Sequence, residues 1–225
     1  MPELSFAVDG ASAAPYAAVP TLAFKVRISN ATEEPIEAVS LQCQIRIEAS
    51  RRTYGAEEKR DLADLFGSPE RFRETVRSFL WTHAATHVRG FTGTTTVDLP
   101  VGCTFDFEVI STKYLHALET GDVPLVLLFS GTVFFRNDEG ALQVSQISWD
   151  SEVSYRMPIE AWQDVMRMYY PNSAWLYLQR EAFERLYRFK VENGIPTWER
   201  VIERLLPDPM AAPRVPGRTG EPTRA

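Results

Sequence analysis

The chain has 225 residues, with 24 lysines and arginines against 30 aspartates and glutamates, for a formal net charge of -6. An acidic chain without a basic stripe does not neutralise a run of backbone phosphates, which excludes nucleic acid as a general partner. No apolar run approaches a membrane span and the first residues carry no basic and apolar leader, so a cytoplasmic protein with no membrane span is expected.

The elements follow in chain order. Residues 1–20 carry one short apolar alternation, Leu4, Phe6 and Val8, the pattern of an edge strand, before an Ala/Pro-rich connection. Residues 21–50 organise the rest. Leu22, Phe24, Val26 and Ile28 alternate with Ala23, Lys25, Arg27 and Ser29, and then Val39, Leu41, Cys43, Ile45 and Ile47 alternate with Ser40, Gln42, Gln44, Arg46 and Glu48. A two-residue period is that of a strand with one face buried. Two antiparallel strands are expected, joined by a turn at 30–35 and supplying apolar side chains to a common face.

Residues 56–78 change period. Leu62, Leu65 and Phe66 have helical spacing, Gly67 stops the run, and Ser68 with Pro69 suits a restart, so a helical insertion is expected there. Sheet-like sequence returns near Phe79. The Thr-rich run at 92–99 suits a sheet edge, and Cys103, Phe105, Phe107 and Val109 alternate as an inner strand, after which 113–119 shows neither period clearly. Residues 123–135 are nearly all apolar, as expected of the most buried strand. A polar turn at 137–140 and a returning run at 142–155 follow. The reading is α+β, with residues 1–157 forming an antiparallel, Ig-like β-sandwich of about seven strands that carries the helical insertion.

Beyond Pro158 the period stays helical. Trp162, Val165 and Met166 mark one helix, Pro171-Asn172-Ser173 breaks it, and a longer helix is expected from about 174 to 192 with Trp175, Leu178, Ala182, Leu186 and Phe189 on one stripe. Asn193-Gly194 ends that helix, and Trp198, Val201, Ile202 and Leu205 give the last one its face. Residues 158–206 are therefore a C-terminal helical segment packed on the sandwich. Residues 207–225, rich in Pro, Gly and Arg, are expected to be a disordered tail.

Chemistry is sparse. His83 and His87 have metal-ligand spacing only if their segment is helical, which its surroundings oppose, and His116 is remote from both. These three are the weak metal candidates. Cys43 and Cys103 read as buried packing residues. With no phosphate loop, nucleophile elbow or dinucleotide fingerprint, no catalytic residue and no cofactor is assigned. More informative is the density of rings late in the chain. They are either core and seam packing or, in part, a docking surface, whose candidate members are Trp149, Tyr169, Tyr170 and Trp175. For Trp175 the apolar stripe favours the packing role.

Lys113-Tyr114-Leu115, Phe129-Ser130-Gly131-Thr132 and Tyr170-Pro171-Asn172-Ser173-Ala174-Trp175 carry a family resemblance that spans most of residues 4–206. In them the chain resembles an uncharacterised bacterial family whose genes often neighbour high-affinity nickel-iron hydrogenases. The resemblance implies a non-catalytic accessory role in assembling or supporting a hydrogenase, with hydrogenase subunits as the protein partner. The alternative is a small-ligand or metal-binding module, or an enzyme, using a pocket between sandwich and helices with His83, His87 or His116 as its polar group.

Overall fold

The strands arise where apolar and polar side chains alternate, so that one face of each is driven out of water. The structure, a computed structural model, describes residues 2–32, 34–104, 109–172 and 178–206. Among the described residues these runs form β1 (Leu4–Ala13), β2 (Thr21–Asn30), β3 (Ile36–Ile47), β4 (Phe79–Phe91), β5 (Thr94–Gly102), β6 (Asp122–Arg136), β7 (Leu142–Gln146) and β8 (Glu152–Pro158). All pairings are antiparallel, in a three-stranded sheet β1-β2-β5 and a five-stranded sheet β4-β3-β6-β7 in which β8 also pairs with β6. The expected α+β sandwich is the observed architecture, with one strand more than the sequence suggested. The returning run divides, β8 lying along the first half of β6 and β7 along the second.

One pairing differs from expectation. β2 and β3 are not partners, because β2 lies between β1 and β5 while β3 lies between β4 and β6. The chain turns a corner between the two sheets at Asn30, and the two apolar faces meet across the core instead of lying side by side. Asn30 is buried and holds that corner: its Oδ1 accepts from the backbone N–H groups of Glu3 (3.1 Å) and Thr32 (3.2 Å), and its Nδ2 donates to the Glu34 carbonyl at 2.9 Å. Across the core Phe6 stacks on Phe129 with ring centroids 4.6 Å apart, and Phe24 meets Trp81 and Tyr155 edge-on, each at 6.1 Å.

The insertion is helical, as α1 (Ala56–Asp61), α2 (Ala63–Phe66) and α3 (Phe72–Thr75). It packs with α4 (Val109–His116), whose Ser111, Tyr114 and Leu115 are buried together with Leu118 at helical spacing. Of the strand expected from Cys103 to Val109, residues 105–108 lie outside the described residues, and its expected end is corrected, since Val109 opens a helix. Burial of the 111, 114, 115 and 118 positions, at helical spacing, favours the helix from Val109 on. Around Tyr114 the rings of Tyr54, Phe66 and Phe79 stand edge-on at 5.4–6.3 Å.

The Tyr54 hydroxyl donates to the Ala49 carbonyl at 2.6 Å, so in the 2.8 Å contact between the two hydroxyls Tyr114 is the donor. Burial pushes the Tyr114 hydroxyl well above the usual phenol range. Tyr114→Phe removes one buried hydrogen bond while leaving the ring packing, and should cost about 1 kcal/mol. Tyr114→Ala also empties the ring's site and should cost about 3–5 kcal/mol. Urea unfolding of the two variants separates the contributions, and equal losses would contradict this account.

The chain divides into two compact units, 1–174 and 175–225. Helix α5 (Ile159–Tyr169) belongs to the first: Ile159, Ala161, Trp162 and Val165 are buried in the sandwich core, and the Tyr169 hydroxyl donates to the Ala17 carbonyl at 2.9 Å. In the second unit α6 (Arg180–Glu192) and α7 (Trp198–Leu205) are described, with Thr197 capping α7 through its hydroxyl oxygen and Gly194 at φ +61° between them. The helix expected from about 174 begins at Arg180. Residues 173–177, Trp175 among them, and the tail 207–225 lie outside the described residues.

Candidate functional site

The candidate site lies on the outer face of the five-stranded sheet. In β3 the inward residues Leu41, Cys43 and Ile45 are buried, which turns Gln42 and Gln44 outward. Register sets His83 and Leu128 on either side of Gln44, and Ala85 and Ser130 on either side of Gln42. The short side chains of Ala85 and Ser130 make this row lower than its surroundings, and a groove of about 480 Å³ runs over it. Trp149 closes one side.

Trp149 stands in the excursion between β7 and β8, where pairing to β6 is interrupted. Both roots are pinned to β6: Ile147 donates its N–H to the Gly131 carbonyl at 3.0 Å, and Phe129 donates to the Ser151 carbonyl at 2.8 Å. Within the excursion the Ser148 hydroxyl donates to Asp150 Oδ1 and Glu152 N–H donates to the Asp150 carbonyl at 2.8 Å. The loop is held, and it holds the indole 93% exposed.

Gly131 makes this possible. At φ +138° it adopts a conformation suited to glycine, and a Cβ there would lie 2.0 Å from the Ser40 carbonyl oxygen. The backbones of β3 and β6 approach so closely at this point that no other side chain fits. Sequence reading could have flagged Gly131 as an isolated glycine within a strand pattern, which signals a close backbone approach.

The other candidates stand elsewhere. Tyr169 packs against the core from α5, and Tyr170, half-buried, follows it. His83 and His87 are both exposed on the outer face of β4. Four residues along a strand set them about 13 Å apart, beyond the reach of one ion. His116 meets the Trp162 ring edge-on at 5.2 Å. Among the described residues no three His, Cys, Asp or Glu side chains gather closely enough to hold a metal ion. Cys43 and Cys103 are buried and not joined in a disulfide, and burial pushes the Cys43 thiol up to about 12, far from the range of a nucleophile.

A second polar constellation lies where the insertion meets the sandwich. Arg52, almost fully buried, donates to the Asp122 and Thr120 carbonyls, each at 2.6 Å, and to Glu58 Oε1 at 2.6 Å. Glu58 also accepts from the N–H groups of Gly55 (2.9 Å) and Glu119 (3.2 Å). With so many protein partners the pair is a clamp on two loops. No local pattern announces it, since Arg52 and Asp122 are 70 positions apart.

No helix among the described residues is long and apolar enough to cross a membrane. No curated protein matches the chain. Among solved structures it is similar to a β-glucosidase from Kluyveromyces marxianus, 12% identical with a TM-score of 0.26 over 69% of this chain and 15% of that one. It is also similar to the putative ApaA protein from Bordetella pertussis, 15% identical with a TM-score of 0.25 over 70% of this chain and 95% of that one. β-Glucosidase 3B from Thermotoga neapolitana matches at 9% identity and a TM-score of 0.24, over 69% of this chain and 17% of that one. The chain thus spans less than a fifth of either β-glucosidase, and likenesses this weak say nothing of its activity. A family model does cover nearly the whole sequence: it matches residues 1–213, and the chain belongs to that family, described as a family of unknown function (DUF6084).

Proposed function

We propose that this protein is a non-catalytic, cytoplasmic accessory protein that binds a protein partner through the outer face of the five-stranded sheet, with Trp149 as its anchor. The observation that carries this reading is the indole itself, 93% exposed on a loop pinned to β6 at both roots. Folding gains nothing from a large apolar ring left in water, whereas a partner that buries it gains ~2 kcal/mol or more. Beside it the amides of Gln42 and Gln44, the imidazole of His83 and the hydroxyl of Ser130 offer donors and acceptors at a groove floor, as an interface with a ring at its centre and a polar surround requires. The partner class comes from the family resemblance, which points to nickel-iron hydrogenase subunits.

Trp149→Ala tests this. The purified variant should unfold within about 0.5 kcal/mol of the parent, because the ring packs on little. Capture of hydrogenase subunits by the immobilised protein should fall at least about 30-fold, the equivalent of ~2 kcal/mol. Undiminished capture would remove the sheet face from the interface. A large loss of stability would show that the ring is a structural residue.

A further inference from the structure

The five-stranded sheet leaves an edge open beside the candidate site. Asn137 donates its N–H to the Ala141 carbonyl and Ile147 donates to the Gly131 carbonyl, each at 3.0 Å, so the odd-numbered residues of β7 bond to β6. Antiparallel alternation then turns the N–H and C=O groups of Leu142, Val144 and Gln146 away from β6, and among the described residues no other strand pairs with β7. The remaining edge strands are covered or interrupted, as edges that must not pair commonly are. β5 carries Asp98 and Pro100, β4 breaks register opposite Ile45 and Arg46, and β1 and β8 lie against each other. β7 has none of these devices. From Ala141 to Trp149 there is no charge and no proline, the pairing to β6 shows no register shift, and Leu142 and Val144 are each 57% exposed.

We propose that β7 receives an extended segment of a protein partner as an added strand, a segment whose ends carry lysine or arginine. The proposal deepens the reading above and rests on it for the partner being a protein. Leu142, Val144 and Gln146 stand beside Arg136, Phe134 and Thr132, on the face that also bears Ser130, so an added strand continues the surface over which Trp149 stands. Charge defines the ends of the segment. No lysine, arginine or histidine lies between Asn137 and Tyr155, whereas Asp138 and Glu139 precede β7 and Asp150 and Glu152 follow it. Arg136, just before them, is engaged by Glu37 at 2.8 Å. The same acids disfavour a second copy of this chain as the occupant. The antiparallel register that pairs all three open residues puts a two-fold axis at Val144, and it brings Asp138 of one copy to the strand end where Asp150 of the other stands, twice.

The test uses the full chain and a capped probe peptide, Lys-Val-Thr-Val-Thr-Val-Lys. With the peptide bound, amide exchange followed by NMR should slow at least about 10-fold at Leu142, Val144 and Gln146 and stay unchanged at Gln143 and Ser145, whose N–H groups already face β6. Val144→Pro removes an N–H that points away from β6, which a sheet edge tolerates, and it should weaken peptide binding at least about 10-fold with unchanged circular dichroism. A peptide with glutamate in place of both lysines should bind at least about 10-fold more weakly. The exchange pattern is read on the parent, so it decides the matter even if the proline variant does not fold. Exchange that slows at none of the three open residues, undiminished binding by Val144→Pro, or equal binding of the glutamate peptide would overturn the proposal. Failure of the partner reading looks different: capture of hydrogenase subunits then survives Trp149→Ala, while the peptide still protects alternate amides of β7.

Discussion

Gly131→Ala is expected to destabilise the protein by about 4 kcal/mol or more, an effect reserved for a few mechanisms. Two of them act here at once. The glycine sits at φ +138°, where an L side chain is strained, and the added methyl would meet the Ser40 carbonyl oxygen at 2.0 Å. Because that oxygen is backbone in the neighbouring strand, no rotamer change relieves the overlap, and β3 and β6 must separate in the middle of the five-stranded sheet. The neighbouring Ser130, exposed on the outer face, supplies the control: Ser130→Ala should stay within about 0.5 kcal/mol of the parent. Equilibrium urea unfolding of the two variants measures the contrast. A Gly131→Ala protein with a parental midpoint would show that the strands do not approach as described. The same substitution should also disturb the Trp149 loop, whose root is fixed by the Gly131 carbonyl.

Arg52→Met is expected to cost about 3–5 kcal/mol, since it strands the buried Glu58 carboxylate and frees the Thr120 and Asp122 carbonyls. Glu58→Gln in the same background should recover part of the loss, because the uncompensated charge is then gone. The pair also sets an acid dependence. Burial by itself pushes the Glu58 carboxyl up, but the Gly55 N–H, the Arg52 guanidinium and the Glu119 N–H together outweigh it and hold the group below its ordinary value. A folded pKa below the unfolded one means that the stabilisation is complete above the unfolded glutamate value of about 4.3 and disappears as the pH falls through the lower folded value. Unfolding free energy measured from about pH 6 to about pH 3 should therefore drop less steeply in Glu58→Gln than in the parent. Identical slopes would refute the assignment.

Much of the fold was legible because periodicity is a local property. The alternations at 21–30 and 36–47, the helical spacing of the insertion, the Thr-rich edge strand and the helices beyond Pro158 each report which face of a short segment leaves water, and the strands and helices stand where those patterns lie. The run from Cys103 lies largely outside the described residues, and its expected last residue, Val109, opens α4, whose buried Tyr114 and Leu115 belong to a helical stripe that begins at Ser111. For the candidate site the sequence offered Trp149 as one ring among many. Composition does not separate a ring on the Tyr114 side of the core from one held in solvent.

By itself, then, the sequence determined which residues alternate, where the period changes, and hence a sandwich joined to helices. Tertiary structure alone decided which strands pair. The alternations of β2 and β3 would serve equally for two neighbours in one sheet or for two faces opposed across a core, and the corner at Asn30 selects the second. It likewise decided that Arg52 meets Glu58 and two distant carbonyls, that His83 and His87 lie too far apart along a strand to share an ion, and that the Gly131 backbone lets an exposed indole stand over the sheet. The physical reason is common to all of these. Burial pattern is written residue by residue along the chain, whereas contacts between segments tens of residues apart depend on how the whole chain returns on itself, and no local signal records that.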